Sequence, residues 1–210
     1  MNLENTIQNL QRNRMQVLVA EHKEQVPALL ETLMPEGSSV THGGSVTLSE
    51  CNIPALLKSG KYNYLDRSAA ADPREVYLTG YGADFFLTSS NAITENGELY
   101  NVDGNSNRIS AIAYGPAKVI VIAGTNKIVA DLKEAAFRVK TIAAPKNAAR
   151  LNCPTYCASK GKCVSLLKED PGMTDGCDSP RRICRNYLIS GPQLDPERIT
   201  VILVKEDLGY

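Results

Sequence analysis

The chain has 210 residues, 43% of them hydrophobic, enough for one α/β domain with a sizeable core. Lys plus Arg and Asp plus Glu both number 23, Trp is absent and Phe numbers 3, a balance that offers neither a nucleic-acid footprint nor a base-stacking platform. Residues 1–10 contain no uninterrupted apolar stretch and no apolar run reaches the length of a membrane span, so the expectation is a soluble, cytoplasmic chain with no signal peptide and no membrane partner.

Leu3, Ile7 and Leu10 recur at helical spacing and predict a short amphipathic helix. Residues 15–20 read as a strand, 21–34 as a helix ended by Pro35-Glu36-Gly37, and 38–42 as a second strand. Gly43-Gly44-Ser45 follows, then Thr47-Leu48-Ser49-Glu50, a capping-box pattern. A strand, a glycine pair and a helix start can make an anion cradle, with backbone N–H groups facing a ligand that glycine lets approach; the same residues would serve as a plain tight turn. Residues 61–65 suggest another strand, and Asp72-Pro73 an N-cap with proline at the first helical position.

Residues 84–88 predict a strand feeding the most polar stretch of the chain. Asn96-Gly97 signals a two-residue hairpin turn pairing Ile93-Thr94-Glu95 with Glu98-Leu99-Tyr100. Asp103-Gly104-Asn105-Ser106-Asn107-Arg108 then leads into a helix that stops at Gly115-Pro116. So many side-chain amides, acids and an arginine together suit either a solvated hairpin and cap or a binding site. Residues 118–123 form a nearly continuous β-branched run, expected of a parallel strand buried on both faces, and Gly124-Thr125-Asn126-Lys127 stands at its C-terminal end, where open α/β sheets form ligand crevices. Residues 128–142 are predicted as a helix closed by Pro145-Lys146-Asn147, and 199–204 as a last buried strand. Alternating strands and helices predict an α/β fold with a mainly parallel sheet flanked by helices.

Residues 151–188 break this alternation as a Cys-rich insertion before the last strand, within a single domain spanning 1–210. Five of the six cysteines fall there, which in a reducing compartment suggests metal rather than disulfides. Residues 135–167 contain no acid but carry Arg138, Lys140, Lys146, Arg150, Lys160 and Lys162, a field that favours thiolate. Cys157, Cys163, Cys177 and Cys184 are the expected ligands of zinc or an iron–sulfur cluster, with Cys153 the spare; five ordinary thiols in a basic loop is the alternative. There is no nucleotide-binding motif.

Together, Thr41-His42-Gly43-Gly44-Ser45, the run from Phe86 to Leu99, Asn101 to Arg108, Gly124 to Val129, Ala144 to Arg150 and Asp207-Leu208-Gly209-Tyr210 resemble the lactate-utilisation (LUD) domain family, over nearly the whole chain and in order. The cysteine segment, with Ser179-Pro180-Arg181-Arg182-Ile183-Cys184, is similar to an extra stretch in some members from anaerobes. The resemblance implies a fold like that of ribose-5-phosphate isomerase and the CoA transferases, and a role in L-lactate oxidation beside iron–sulfur partner proteins. It also implies a nucleophilic glutamate, because Glu95-Asn96-Gly97 looks like the turn that carries it in CoA transferases.

The leading expectation is an enzyme or enzyme subunit acting on a small anionic metabolite through carboxylate or CoA-ester chemistry. Gly43, Gly44 and Ser45 would hold the anion and Glu95 would be base or nucleophile. Asn91, Asp103, Asn105, Asn107 and Arg108 would orient the substrate, with Lys127 at the crevice edge. An iron–sulfur electron-transfer or assembly subunit, and a non-catalytic small-molecule-binding regulator, are the alternatives; oligomeric state is left open.

Overall fold

The computed structural model describes residues 2–210. In chain order its strands are β1 (Gln16–Ala20), β2 (Ser39–His42), β3 (Asn63–Tyr64), β4 (Phe85–Thr88), β5 (Ala92–Thr94), β6 (Leu99–Asp103), β7 (Lys118–Gly124), β8 (Ile128–Val129), β9 (Asn186–Ser190) and β10 (Ile199–Val204). Six of them form an all-parallel sheet in the order β1-β10-β7-β4-β2-β3. The other four form a smaller mixed sheet, β8-β5-β6-β9.

The helices are α1 (Leu3–Arg12), α2 (Val26–Leu33), α3 (Val46–Glu50), α4 (Ile53–Leu57), α5 (Pro73–Gly80), α6 (Asn107–Ala113), α7 (Leu132–Arg138), α8 (Ala144–Arg150) and α9 (Tyr156–Lys160). Because side chains alternate along a strand, β7 and β10 feed two cores at once. Ile120, Ile122, Ile202 and Val204 pack with Leu30 of α2, Leu48 of α3 and Ile53 of α4 on one face. Val119, Val121, Val201 and Leu203 pack with Leu10 of α1 and Ile112 of α6 on the other. That is why these strands read as unbroken apolar runs. The small sheet lies over this second core through Ile93 and Leu99, and its outer face (Ala92, Tyr100, Val102) is covered by Ala135, Ala136 and Val139. None of the described helices is long and apolar enough to cross a membrane.

Several expectations require correction. The segment 128–142 is not one helix: Ile128 and Val129 pair with β5, and Asp131 caps α7 by accepting a hydrogen bond from the backbone N–H of Glu134 at 2.9 Å. The helical path then widens into a π-helical stretch, Val139–Ala143, and continues as α8, whose first turn contains Pro145. Pro145 gives no N–H to the turn before it, and the widened stretch Val139–Ala143 lies where that hydrogen bond would have been accepted. The cap of α3 is Ser45, not Thr47. Residues 186–188, expected within the cysteine segment, begin β9, which pairs with β6.

The hairpin is also one residue out of the expected register. Ala92 faces Tyr100 and Ile93 faces Leu99, and the N–H of Gly97 bonds the carbonyl of Thr94 at 2.9 Å. The loop is therefore Glu95-Asn96-Gly97, three residues with Gly97 in the left-handed region at φ 81°, while Asn96 keeps negative φ. A two-residue turn would need positive φ at both central positions. The tip packs against α1 so closely that a Cβ on Gly97 would lie 2.5 Å from the backbone carbon of Asn9. Gly97→Ala should cost roughly 1–3 kcal/mol through φ strain and this clash. A urea midpoint equal to wild type would show that α1 does not clamp the hairpin.

Candidate functional site

The C-terminal ends of β2, β4 and β7 open onto one cleft of ≈ 630 Å³. Gly44 and Ser45 come from the loop after β2, Ser89, Ser90 and Asn91 from the loop after β4, and Lys127 from the turn after β7. The far wall is built by α8 and the cysteine segment, through Asn147, Arg150, Pro180, Arg181, Arg182 and Arg185. This is the place that a parallel sheet reserves for ligands, because the strand ends leave loops free to diverge there.

The lining is strongly cationic: Arg67, Arg108, Lys127, Arg150, Arg181, Arg182 and Arg185 stand against one acid, Asp103. The two most central cations differ in kind. All five N–H donors of Arg108 are used by the protein. Its Nε donates to Asp103 Oδ1 at 3.1 Å, its Nη1 to the Ser89 carbonyl and Asn101 Oδ1, and its Nη2 to Asn91 Oδ1 at 2.8 Å and the Val102 carbonyl at 3.1 Å. The other oxygen of Asp103 accepts from the backbone N–H groups of Arg108 and Ile109, both at 2.9 Å, and so caps α6. Asn91 also accepts from the N–H of Val102 at 2.9 Å. Asp103, Asn91 and Arg108 thus form a clamp that joins β6, α6 and the loop after β4. The glycine pair serves the same closeness, since a Cβ on Gly43 would sit 3.1 Å from Arg108 Cδ.

Lys127 is 2% exposed, and its ammonium donates to two hydroxyls, Thr47 Oγ1 at 2.8 Å and Ser89 Oγ at 2.9 Å. Among the described residues no acid pairs with it. Burial, reinforced by the Arg138 and Arg108 guanidinium groups and opposed weakly by Glu50 and Cys51, pushes its pKa down to about 7. A lysine in that range can be proton acceptor, nucleophile or anion ligand at neutral pH. The side-chain amides of Asn105 and Asn107 line the cleft and make no hydrogen bond among the described residues.

Glu95 is not brought to this cleft. Its carboxylate accepts from the Asn2 backbone N–H at 2.8 Å and its carbonyl from Asn9 Nδ2 at 2.7 Å, so it lies on α1 at the hairpin tip. Its distance from the strand C-termini follows from the direction of β5, which leads away from Asn91. Gly44, Ser45, Asn91, Asp103, Asn105, Asn107, Arg108 and Lys127 do meet at the cleft, whereas Gly43 sits behind it against Arg108. His42 bonds Tyr64 Oη at 2.8 Å and the Gly43 carbonyl at 2.7 Å outside the lining, and burial lowers its pKa. Sequence reasoning missed Arg67 and Tyr77, which carry no local signal, and Tyr210, which stood in the resemblance without a role in the site. It also missed Arg150, Arg181, Arg182 and Arg185, although the acid-free basic run around Arg150 pointed to that wall.

Cys157, Cys163, Cys177 and Cys184 line a second, smaller cavity behind the cleft, while Cys153 faces the cleft itself. Among the described residues, no three His, Cys, Asp or Glu side chains stand as a group that could hold a metal ion.

A family model described as LUD domain matches residues 3–204. No curated protein matches the chain. Among solved structures, a DUF162 family protein from Deinococcus radiodurans aligns over 96% of this chain and 95% of its own, with 16% identity and a TM-score of 0.54, a likeness of fold. Ribose 5-phosphate isomerase A from Neisseria gonorrhoeae aligns over 52% of this chain and 54% of its own, with 17% identity and a TM-score of 0.35. The chain belongs to the LUD domain family.

Proposed function

We propose that the chain is an enzyme, or the substrate-binding subunit of one, whose cleft takes a small metabolite carrying more than one negative charge, with Lys127 at the reacting end. The observation that carries this reading is the lining: seven cations against one acid, and that acid already engaged by Arg108. A monocarboxylate such as L-lactate would leave most of that charge uncompensated. A CoA ester or a phosphorylated carboxylate would match both the charge and the ≈ 630 Å³ of room. A role in lactate oxidation fits this reading when lactate carbon is handled as an activated derivative. Lys127, its pKa brought down to about 7 by burial, is suited to take a proton or attack a carbonyl once the anionic end is held by the arginine wall.

Thermal shift with inorganic phosphate, L-lactate, coenzyme A and acetyl-CoA tests the proposal. Coenzyme A and acetyl-CoA should raise the melting temperature by several degrees, L-lactate by little, and Arg150→Ala should reduce the response. No shift with any of the polyanions would end the reading.

Lys127 also fixes a pH dependence. Its folded pKa of about 7 lies below the ordinary 10.5, so between these values the unfolded chain binds the extra proton and stability climbs with pH. Below about pH 7 the buried ammonium exacts its full cost. Lys127→Met removes that cost with little change in volume. Its melting temperature should exceed wild type at pH 6.5, and the gap should narrow by pH 8.5. A variant less stable than wild type at pH 6.5 would show that the ammonium is stabilising where it sits.

A further inference from the structure

We propose that Cys157, Cys163, Cys177 and Cys184 hold a single thiolate-ligated metal ion of the zinc type behind the wall of the cleft. The four thiols come from α9, the turn after it and the two ends of the arm at 177–184, yet they line one cavity of ≈ 20 Å³. That is room for an ion or a single water. Among the described residues the thiols are not drawn together around an ion, so loading requires the arm to rearrange.

Two independent features say what the cavity is built to receive. First, three of the four sulfurs already have a partner of the kind that supports metal-bound thiolates. Thr155 Oγ1 lies 3.4 Å from Cys157 Sγ and Ser165 Oγ 3.3 Å from Cys163 Sγ, while Arg182 Nε donates to Cys184 Sγ at 3.3 Å. Lys140 lines the same cavity, so two cations stand ready to offset thiolate charge. Second, Tyr100, 0% exposed, lines the cavity and its hydroxyl has no hydrogen-bond partner among the described residues. A buried hydroxyl without a partner is costly, and a metal-bound thiolate would be a far better acceptor than a neutral thiol. A set of donors around a cavity that lacks its acceptor is what a metal site presents without its metal.

The test is zinc, iron and acid-labile sulfide per chain after anaerobic preparation, for wild type, Cys163→Ser, Cys177→Ser and the controls Cys51→Ser and Cys153→Ser. Wild type and both controls should carry stoichiometric metal. Near-unit zinc without sulfide is the expected content, and equimolar iron and sulfide, about two or four of each, would overturn the single-ion assignment. Cys163→Ser and Cys177→Ser should lose at least half of it while remaining folded by circular dichroism. If either unfolds, the wild-type metal is removed by chelation and restored, with the melting temperature recorded at each step; it should fall and recover. Sub-stoichiometric metal in wild type, or metal retained in both variants, would overturn the proposal.

Discussion

Arg108→Lys should cost roughly 1–3 kcal/mol of stability, the range for leaving a buried polar group without its hydrogen bond. Arginine supplies five donors in a planar fork, and here each meets a different acceptor on β6 or on the loop after β4. Lysine has three donors on one atom and cannot reach both sides of the fork. The substitution would leave Asp103, which is 8% exposed, short of a side-chain donor, and the Asn101 amide oxygen unsatisfied. Since Asp103 also caps α6, the first turn of that helix should loosen with it. Equilibrium urea unfolding gives the number. A loss under about 1 kcal/mol would mean that the clamp is not what ties the small sheet to the large one.

Val121→Asp should abolish folding. Val121 is 0% exposed in the middle of β7, with Val201 of β10 on one side and Thr88 of β4 on the other. A carboxylate there has no partner, and its burial would consume most of the 5–15 kcal/mol by which a domain is usually stable. Val121→Ala, which only opens a cavity, should stay folded with a lowered melting temperature. A soluble Val121→Asp with wild-type melting would contradict the placement of β7 in the sheet centre.

The two central strands were legible because burial on both faces leaves no room for a polar alternation. The hairpin register was not, because Asn96-Gly97 advertises one turn while the packing of Gly97 against Asn9 selects another. The same tertiary contact decides the fate of Glu95. A three-residue motif predicted a reacting carboxylate, and α1, reaching over from the N-terminus, holds it at the hairpin tip. Val129 matched a helical stripe with Leu132, Ala136 and Val139, so the helix was expected from Ile128, but its real start was written in Asp131 and Glu134, a capping pattern three residues further on. Lys127 was named for its place after a strand. Its depressed pKa depends on Arg108, Arg138 and burial, which no local pattern encodes. Arg108 was named as a substrate ligand, and only the structure shows its donors consumed.

Proton uptake on ligand binding tests the anion cleft most directly. An anion held beside Lys127 must raise that lysine's pKa, so at pH 7 binding should draw in a fraction of a proton per chain. Isothermal titration with coenzyme A in two buffers of different ionisation enthalpy measures it. Protons exchanged by the ligand's own phosphates are common to wild type and Lys127→Met and cancel in the comparison. The account predicts a larger uptake in wild type than in Lys127→Met, together with at least tenfold weaker binding in the variant. Equal affinity and equal proton uptake in the two proteins would contradict it.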